Sequence, residues 1–210
     1  MHRLAAVLMI MTAPGAFAYT AAELAAKNVA AKGGAEQLNA IHSLRMSGKL
    51  LVNGGQIEVA YRMLVDRPHA IRYEAELQGL TRVQAYDGSQ AWQIDPFRGR
   101  KDAEKLSADD AKALGEDAAD FTGTLVDYQS KGYELDYLGT EDIEGTEAHK
   151  LRVSRPNGDV TLVYLDPDYF LELRTVNRRI EHGVPNETVT DYGDYDRVGA
   201  NVRLEKSRSE

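Results

Sequence analysis

The fold is decided between residues 67 and 97, which read RPHAIRYEAELQGLTRVQAYDGSQAWQIDPF. Pro68 ends the alternating run that precedes this stretch, because proline cannot donate a hydrogen bond to a strand ladder. Asp87-Gly88 separates two further runs of alternating residues and is typical of a hairpin turn. The run after this turn contains Trp92 and is closed by Pro96-Phe97. The stretch therefore predicts a β-meander, in which consecutive strands pair antiparallel.

The same period of two continues on both sides of the meander. Strands are predicted from Ser43 onward ahead of it, and five more between Tyr133 and Tyr192 behind it, with a short last one near Val202. This makes about ten or eleven strands at hairpin spacing. The pattern predicts a mainly β protein with some α-helix, built as an antiparallel barrel or a sandwich.

Helices are predicted at the start of the chain and in its middle. Capping boxes that begin at Thr20 and Ser107 predict helices that run to about Ala31 and Ala119. A short second helix is expected directly after the first. Residues 98–131 form a charged, alanine-rich insert between the two groups of strands. Because this insert interrupts a β protein, we expect it to pack on the sheet or to cover an opening.

The first 18 residues are typical of an export signal. They have a basic start, an apolar core from Leu4 to Met11 and a small-x-small cleavage site at Ala16-Phe17-Ala18. The apolar run is shorter than the roughly 20 residues that span a bilayer. Residues 1–18 are therefore predicted to be a signal peptide and residues 19–210 a single periplasmic domain. The alternative is a buried N-terminal helix.

Charge and cysteine content narrow the class of partner. The chain has 25 Lys and Arg against 33 Asp and Glu, a net charge of −8. Such a chain is a poor match for nucleic acid or for an anionic membrane surface. The absence of cysteine excludes acylation of this chain at a thiol, disulfides and thiolate chemistry. Contact with a membrane would have to use apolar burial or a partner protein.

No motif in the sequence points to catalysis, a cofactor or a metal. The five histidines have no metal-ligand spacing, and the aspartates from Asp191 to Asp196 do not match a calcium loop and are typical of a polar turn. Nucleophile-elbow, phosphate-loop and dinucleotide-binding patterns are missing. We therefore expect no cofactor and no enzyme activity, with a site assembled from distant residues as the alternative.

The apolar faces of two neighbouring strands are the best candidate for a binding site. Strand alternation gives each strand an apolar face, made of Ile57, Val59, Tyr61, Met63 and Val65 in the first strand and of Ile71, Tyr73 and Leu77 in the next. Core packing is the simpler interpretation of such a stripe. The functional interpretation is an apolar cavity, since Met repacks around a flexible chain and Tyr keeps a polar tip for water.

A family resemblance extends over most of the chain after residue 18. It is carried, in order, by Ala31-Lys32-Gly33-Gly34, Ile41-His42-Ser43-Leu44, the stretch from Val65 to Phe97, Leu125-Val126-Asp127-Tyr128 and Lys131-Gly132-Tyr133. These motifs resemble those of the LolA-like periplasmic lipoprotein carriers, also called outer-membrane lipoprotein-sorting proteins. The resemblance implies an unclosed antiparallel barrel with N-terminal and inserted helices that form a lid, the inserted part being residues 98–131.

The resemblance also implies roles for single residues. In such carriers an arginine just before the strand-ending proline holds the lid shut, and Arg67 has this place here. The alternative is that Arg67 pairs with a carboxylate at the rim of the barrel. Ile71 and Tyr73 correspond to residues that face the cavity. Trp92 and Phe97 correspond to the hairpin and its exit, where they are expected to serve as packing anchors.

The function implied is a periplasmic carrier of lipid or of acylated lipoprotein. Its partners would be that cargo and, by resemblance, an inner-membrane transporter or an outer-membrane acceptor. The first alternative is a sensor or protein-interaction domain on the same fold. The second alternative is a periplasmic hydrolase.

Overall fold

A computed structural model describes residues 19–52, 56–181, 183–198 and 201–209. The predicted signal peptide, residues 1–18, lies outside the described residues. Two six-stranded antiparallel sheets make up most of the described part. Their strands follow one another in chain order, so each sheet is a meander.

Sheet A holds the first half of the strands, and sheet B holds the second half. The strands of sheet A are β1 (Ser43–Val52), β2 (Ile57–Asp66), β3 (Ala70–Leu77), β4 (Leu80–Tyr86), β5 (Ala91–Ile94) and β6 (Glu104–Lys105). The strands of sheet B are β7 (Glu134–Ile143), β8 (Thr146–Ser154), β9 (Val160–Leu165), β10 (Glu172–Glu181), β11 (Val184–Val198) and β12 (Asn201–Ser209).

The predicted meander is confirmed, and its turns follow from local chemistry. Leu77 pairs with Leu80 across a two-residue turn in which Gln78 and Gly79 both have positive φ, of 52° and 78°. This is the conformation that matches the twist of the flanking strands. At the next hairpin the Asp87 carboxylate accepts hydrogen bonds from two backbone N–H groups, each at 2.8 Å. The sequence analysis did not predict β6, because two residues are too few to show a period.

Three α-helices accompany the sheets: α1 (Ala21–Ala31), α2 (Ala35–Asn39) and α3 (Ala108–Ala119). Both predicted capping boxes are present, with Thr20 and Ser107 as the N-cap residues. A 3₁₀ turn at Pro96–Arg98 follows β5. Among the described residues no helix is long and apolar enough to cross a membrane.

Each sheet has its own apolar core beneath a helix. Leu24 and Ala25 of α1 pack on the β8 and β9 residues Leu151 and Val163 of sheet B. Helix α3 packs on β3, β4 and β5 of sheet A. The helices therefore cover one face of each sheet, and the fold is mainly β, antiparallel and not closed into a full barrel.

A buried ion pair fixes the end of α1 on sheet B. Lys32 Nζ lies 2.7 Å from Glu172 Oε1, and both side chains are largely buried. The Tyr195 hydroxyl donates to the Glu172 carbonyl at 2.8 Å. Burial raises the pKa of the Glu172 carboxyl, but the Lys32 charge and its hydrogen bond outweigh burial, and the pKa lies below its ordinary value.

Replacing Glu172→Gln should lower the free energy of unfolding at pH 7 by about 3 kcal/mol, because it leaves the Lys32 charge buried without a counter-ion. A carboxyl whose folded-state pKa is depressed stabilises above the unfolded-state pKa and loses this effect as pH falls through the folded-state pKa. The difference between variant and wild type should therefore shrink below the ordinary carboxyl pKa of 4.5. Urea unfolding across pH 3 to 7 measures it.

The matched control is Glu58→Gln, which removes the partner of Lys49 in an exposed ion pair of the same 2.7 Å length. Exposed pairs contribute at most about 1 kcal/mol, so this variant should unfold nearly as wild type does. Equal effects of the two substitutions would contradict the structural importance of the Glu172 pair.

Candidate functional site

The eight predicted apolar residues of β2 and β3 share one face of sheet A. The register pairs Val65 with Ile71 and Met63 with Tyr73, and residues directly opposite each other point to the same side. We call this side the inner face. The pairing extends the face to residues that the sequence analysis did not select, namely Leu44, Met46, Leu50 and Val52 of β1 and Leu80 of β4.

Burial changes steadily along the inner face. At one end Val65 and Ile71 are buried, with only 2 % of Ile71 exposed. Met63 and Tyr73 are intermediate. At the other end 39 % of Ile57 is exposed, together with large parts of Leu50 and Leu80. The inner face is therefore packed core at one end and an uncovered apolar surface at the other.

Helix α3 is what covers the buried end. Its Leu114 and Ala118 join a buried cluster with Val65, Ile71 and Ala91. Gly115 allows the helix to come this close: a Cβ at this position would lie 3.2 Å from a ring carbon of Tyr86. Small residues on α3 therefore bring the helix into direct contact with the sheet.

Tyr73 joins the inner face to a charged region beside α3. Its ring stacks on that of Tyr61 with centroids 5.9 Å apart, and its hydroxyl donates to Asp117 Oδ2 at 3.1 Å. The other oxygen of Asp117 accepts from Arg179 of β10 at 2.6 Å. Burial, followed by the charge of Asp117, raises the pKa of the Tyr73 phenol, so Tyr73 is a neutral hydrogen-bond donor at physiological pH.

Arg67 binds the end of helix α2. Its Nε donates to the Ile41 carbonyl at 2.8 Å and its Nη2 donates to the Leu38 carbonyl at 3.4 Å. The guanidinium also lies 5.0 Å from the centre of the Phe121 ring, just after α3. None of the described carboxylates lies within ion-pair distance of it. Arg67 is therefore bonded to helix-end carbonyls, and its role in holding a lid shut stays a prediction.

Trp92 lies on the side of sheet A opposite the inner face, and Phe97 lies in the turn that follows β5. Trp92 pairs with Ala85 and Lys105, which places it on the opposite side of sheet A. The exposed fractions of Trp92 and Phe97 are 41 % and 47 %. These values are higher than those of core residues, and the anchoring role of both residues stays a prediction.

Two open spaces flank α3. A cavity of about 230 Å³ lies where α3 meets β3 and β10, and of the eight predicted residues only Tyr73 lines it. Its remaining walls include charged side chains of α3, together with Asp159 and Arg179. A wider groove of about 790 Å³ separates α3 from the β4–β5 turn. This charged lining could not be predicted from the sequence, because charged side chains on a helix are usually solvated.

Metal chemistry has no assembled site in the described part of the chain. No group of three or more His, Asp or Glu side chains there is placed to hold a metal ion. The aspartates of β11 take part in the sheet instead: Asp191 forms an ion pair with Arg174 of the neighbouring strand.

The architecture is that of LolA-like proteins. A LolA superfamily protein from Nitrosomonas europaea aligns with a TM-score of 0.56 and 13 % identity over 92 % of this chain and 86 % of its own. An outer-membrane lipoprotein-sorting protein domain from Vibrio parahaemolyticus aligns with a TM-score of 0.52 and 10 % identity, over 90 % of this chain and 92 % of its own. A DUF1329 family protein from Desulfovibrio piger aligns with a TM-score of 0.57 and 12 % identity, over 90 % of this chain and 84 % of its own.

No protein-family model matches the sequence, and no curated protein does. At identities of 10 to 13 %, the structural likeness shows a shared fold and nothing finer. The predicted fold class, an open LolA-like barrel with accompanying helices, is confirmed.

Replacing Arg67→Lys should destabilise the protein by about 1–2 kcal/mol, because a lysine cannot reproduce the two guanidinium hydrogen bonds and the stacking on Phe121. Thermal unfolding with a van't Hoff analysis measures the loss. Arg62→Lys, at an exposed position of β2, should change the stability by less than about 0.5 kcal/mol. An Arg67 effect no larger than that of Arg62 would contradict the structural role of the contact with α2.

Proposed function

We propose that the protein binds the acyl chains of a lipid or of a lipidated protein on the inner face of sheet A. The observation that carries this proposal is the continuous apolar strip on this face, which begins beneath α3 and ends uncovered at Leu50, Val52, Ile57 and Leu80. Scattered apolar side chains are normal on protein surfaces, whereas a contiguous apolar patch marks a binding surface.

Burial of acyl chains would drive the binding. Each buried methylene group contributes about 0.8 kcal/mol, so even partial cover of a long chain by this strip offsets the loss of its freedom. The chemistry of the middle of the strip suits a flexible ligand. Met46 and Met63 face each other across β1 and β2, and methionine side chains repack easily.

Within this proposal, the helices and Arg67 control access to the inner face. The insert of residues 98–131, with α3, and the N-terminal helices act as the lid over the inner face. Arg67 holds the α2 part of this lid through the Leu38 and Ile41 carbonyls. The signal-like residues 1–18 support a periplasmic location. The lipoprotein-sorting name of the Vibrio relative on the same fold supports an acylated cargo, and handover would involve a membrane-bound transporter or acceptor.

The first test is mass spectrometry of an organic-solvent extract of the protein purified from its native periplasm without detergent. A lipid or acylated species present at one equivalent supports the proposal and identifies the cargo. An extract without lipid, together with no binding of a fluorescent long-chain fatty acid by the purified protein, overturns it. A protein partner captured without lipid would then favour the interaction-domain alternative.

Leu80→Asp should weaken binding of the fluorescent fatty acid about ten-fold or more, because an acyl chain on the inner face would bury the new carboxylate. Leu80 is 45 % exposed, so the substitution should leave the fold intact. A fluorescence titration at neutral pH measures the change in affinity.

Leu138→Asp is the matched control, since Leu138 is also 45 % exposed but belongs to β7 of sheet B. It should bind as wild type does. An equal loss of affinity in the two variants would show that a charge anywhere on the surface weakens binding, and would contradict the inner face as the binding site.

A further inference from the structure

Helix α3 makes apolar contacts with sheet A on one side and charged or polar contacts with sheet B on the other. Toward sheet A it presents small and apolar residues, with Leu114 and Ala118 packed on Val65 and Ile71. Toward sheet B it presents carboxylates, and several of these are paired with cations or hydrogen-bond donors. We refer to the contacts on the sheet B side as the clamp.

The strongest part of the clamp is at the C-terminal end of α3. Arg155 Nη2 donates to Asp120 Oδ2 at 2.8 Å, and the two side chains are only 3 % and 10 % exposed. Arg155 also donates to the Thr161 hydroxyl at 2.6 Å. Lys131 provides a second cation for Asp120 at 2.8 Å. The end of α3 is thus held in a buried, charged environment that belongs to sheet B.

Two further contacts extend the clamp along the helix. Asp117 accepts from Arg179 of β10 at 2.6 Å. Glu116 accepts a hydrogen bond from the Asn157 amide in the β8–β9 turn. These two residues lie three and four positions before Asp120, so the clamp spans the last turn of α3 and fixes its orientation as well as its position.

The contacts of α3 with sheet A are of a different nature. Besides the apolar packing, this end of the insert is joined to sheet A, among the described residues, by the Tyr73 hydroxyl on Asp117 and the Arg67 guanidinium on the Phe121 ring. Just before α3, the Leu106 N–H donates to the Ala91 carbonyl at 2.9 Å. This last bond ties only the start of the insert helix to sheet A.

An acyl chain can replace one set of contacts and not the other. If α3 parts from Val65 and Ile71, a methylene chain can take the place of Leu114 and Ala118, so that apolar contact is exchanged for apolar contact. If α3 parts from sheet B, the buried charges of Arg155 and Asp120 lose their partners, and an acyl chain offers no group to pair with them. A bound acyl chain therefore replaces the contacts that α3 loses when it parts from sheet A, but not those that it loses when it parts from sheet B.

We propose that α3 moves as one body with sheet B, and that ligand enters by separation of sheet A from α3, about the attachment at Leu106. This inference rests on the proposed function and adds the way in which access to the inner face is regulated. Asp117 is a positioning residue in it, because it holds Tyr73 of the inner face and Arg179 of the clamp at once.

The absence of cysteine from the natural chain allows a direct test with pairs of spin labels. One label is placed at the end of α3 by Ala119→Cys, a position that borders the wide groove and has room for it. The second is placed either on sheet A by Arg72→Cys or on sheet B by Arg152→Cys. These two arginines are matched, since both are about half exposed on the surface of their strands.

Pulsed electron spin resonance then gives each distance with and without a saturating long-chain fatty acid, whose binding is verified on the same samples by mass spectrometry. We expect the Ala119–Arg72 distance to lengthen with ligand by about the width of an acyl chain, and the Ala119–Arg152 distance to stay unchanged. The reverse pattern, or no change in either distance with ligand bound, overturns the inference.

The ligand-free samples keep the two proposals separable. If no fatty acid binds to any sample, the proposed function fails on its own. The clamp still predicts a narrower distribution for the Ala119–Arg152 distance than for the Ala119–Arg72 distance in the free protein. An equal or broader Ala119–Arg152 distribution would show that α3 is not fixed to sheet B.

Discussion

The buried guanidinium of Arg155 is the constraint on which the arrangement of the two sheets and their helices depends. It is almost fully enclosed, so its charge must be matched inside the protein. Asp120 matches it from the end of α3, Thr161 accepts from it within sheet B, and the Tyr133 ring lies 5.2 Å from it. One side chain thus joins the insert to two different parts of sheet B. The apolar side of α3 lies over sheet A while its polar side is held against sheet B by these contacts.

The inner face of sheet A is left half covered as a consequence. A helix of twelve residues reaches Val65 and Ile71 but not the far ends of β1 and β2. Complete cover would make the face an ordinary core, and no cover would expose an apolar surface that favours aggregation. The partial cover buries one end of the apolar strip and leaves the other end exposed. This half-covered strip is what distinguishes the inner face from a plain two-sheet core.

Local signals in the sequence were enough to predict most of the fold. Capping residues and Asp-Gly turns act over three or four positions, and strand alternation places Tyr61 on the apolar face of β2 and Tyr73 on that of β3. The clamp could not be predicted in this way. Asp117 and Arg179 are far apart in the chain, and each taken alone is typical of a solvated surface. The side of the sheet on which Trp92 lies follows from its pairing with Ala85 and Lys105, which residue type alone does not reveal.

Gly115 determines how closely α3 approaches the Tyr86 ring of sheet A. The spacing between α3 and the Tyr86 ring is set by a hydrogen atom in place of a methyl group. A chain of this fold with alanine or serine at the same place would have to shift either the helix or the Tyr86 ring by a few tenths of an ångström. Natural variation at this one helix position would then change the distance between helix and sheet from one protein of this fold to another.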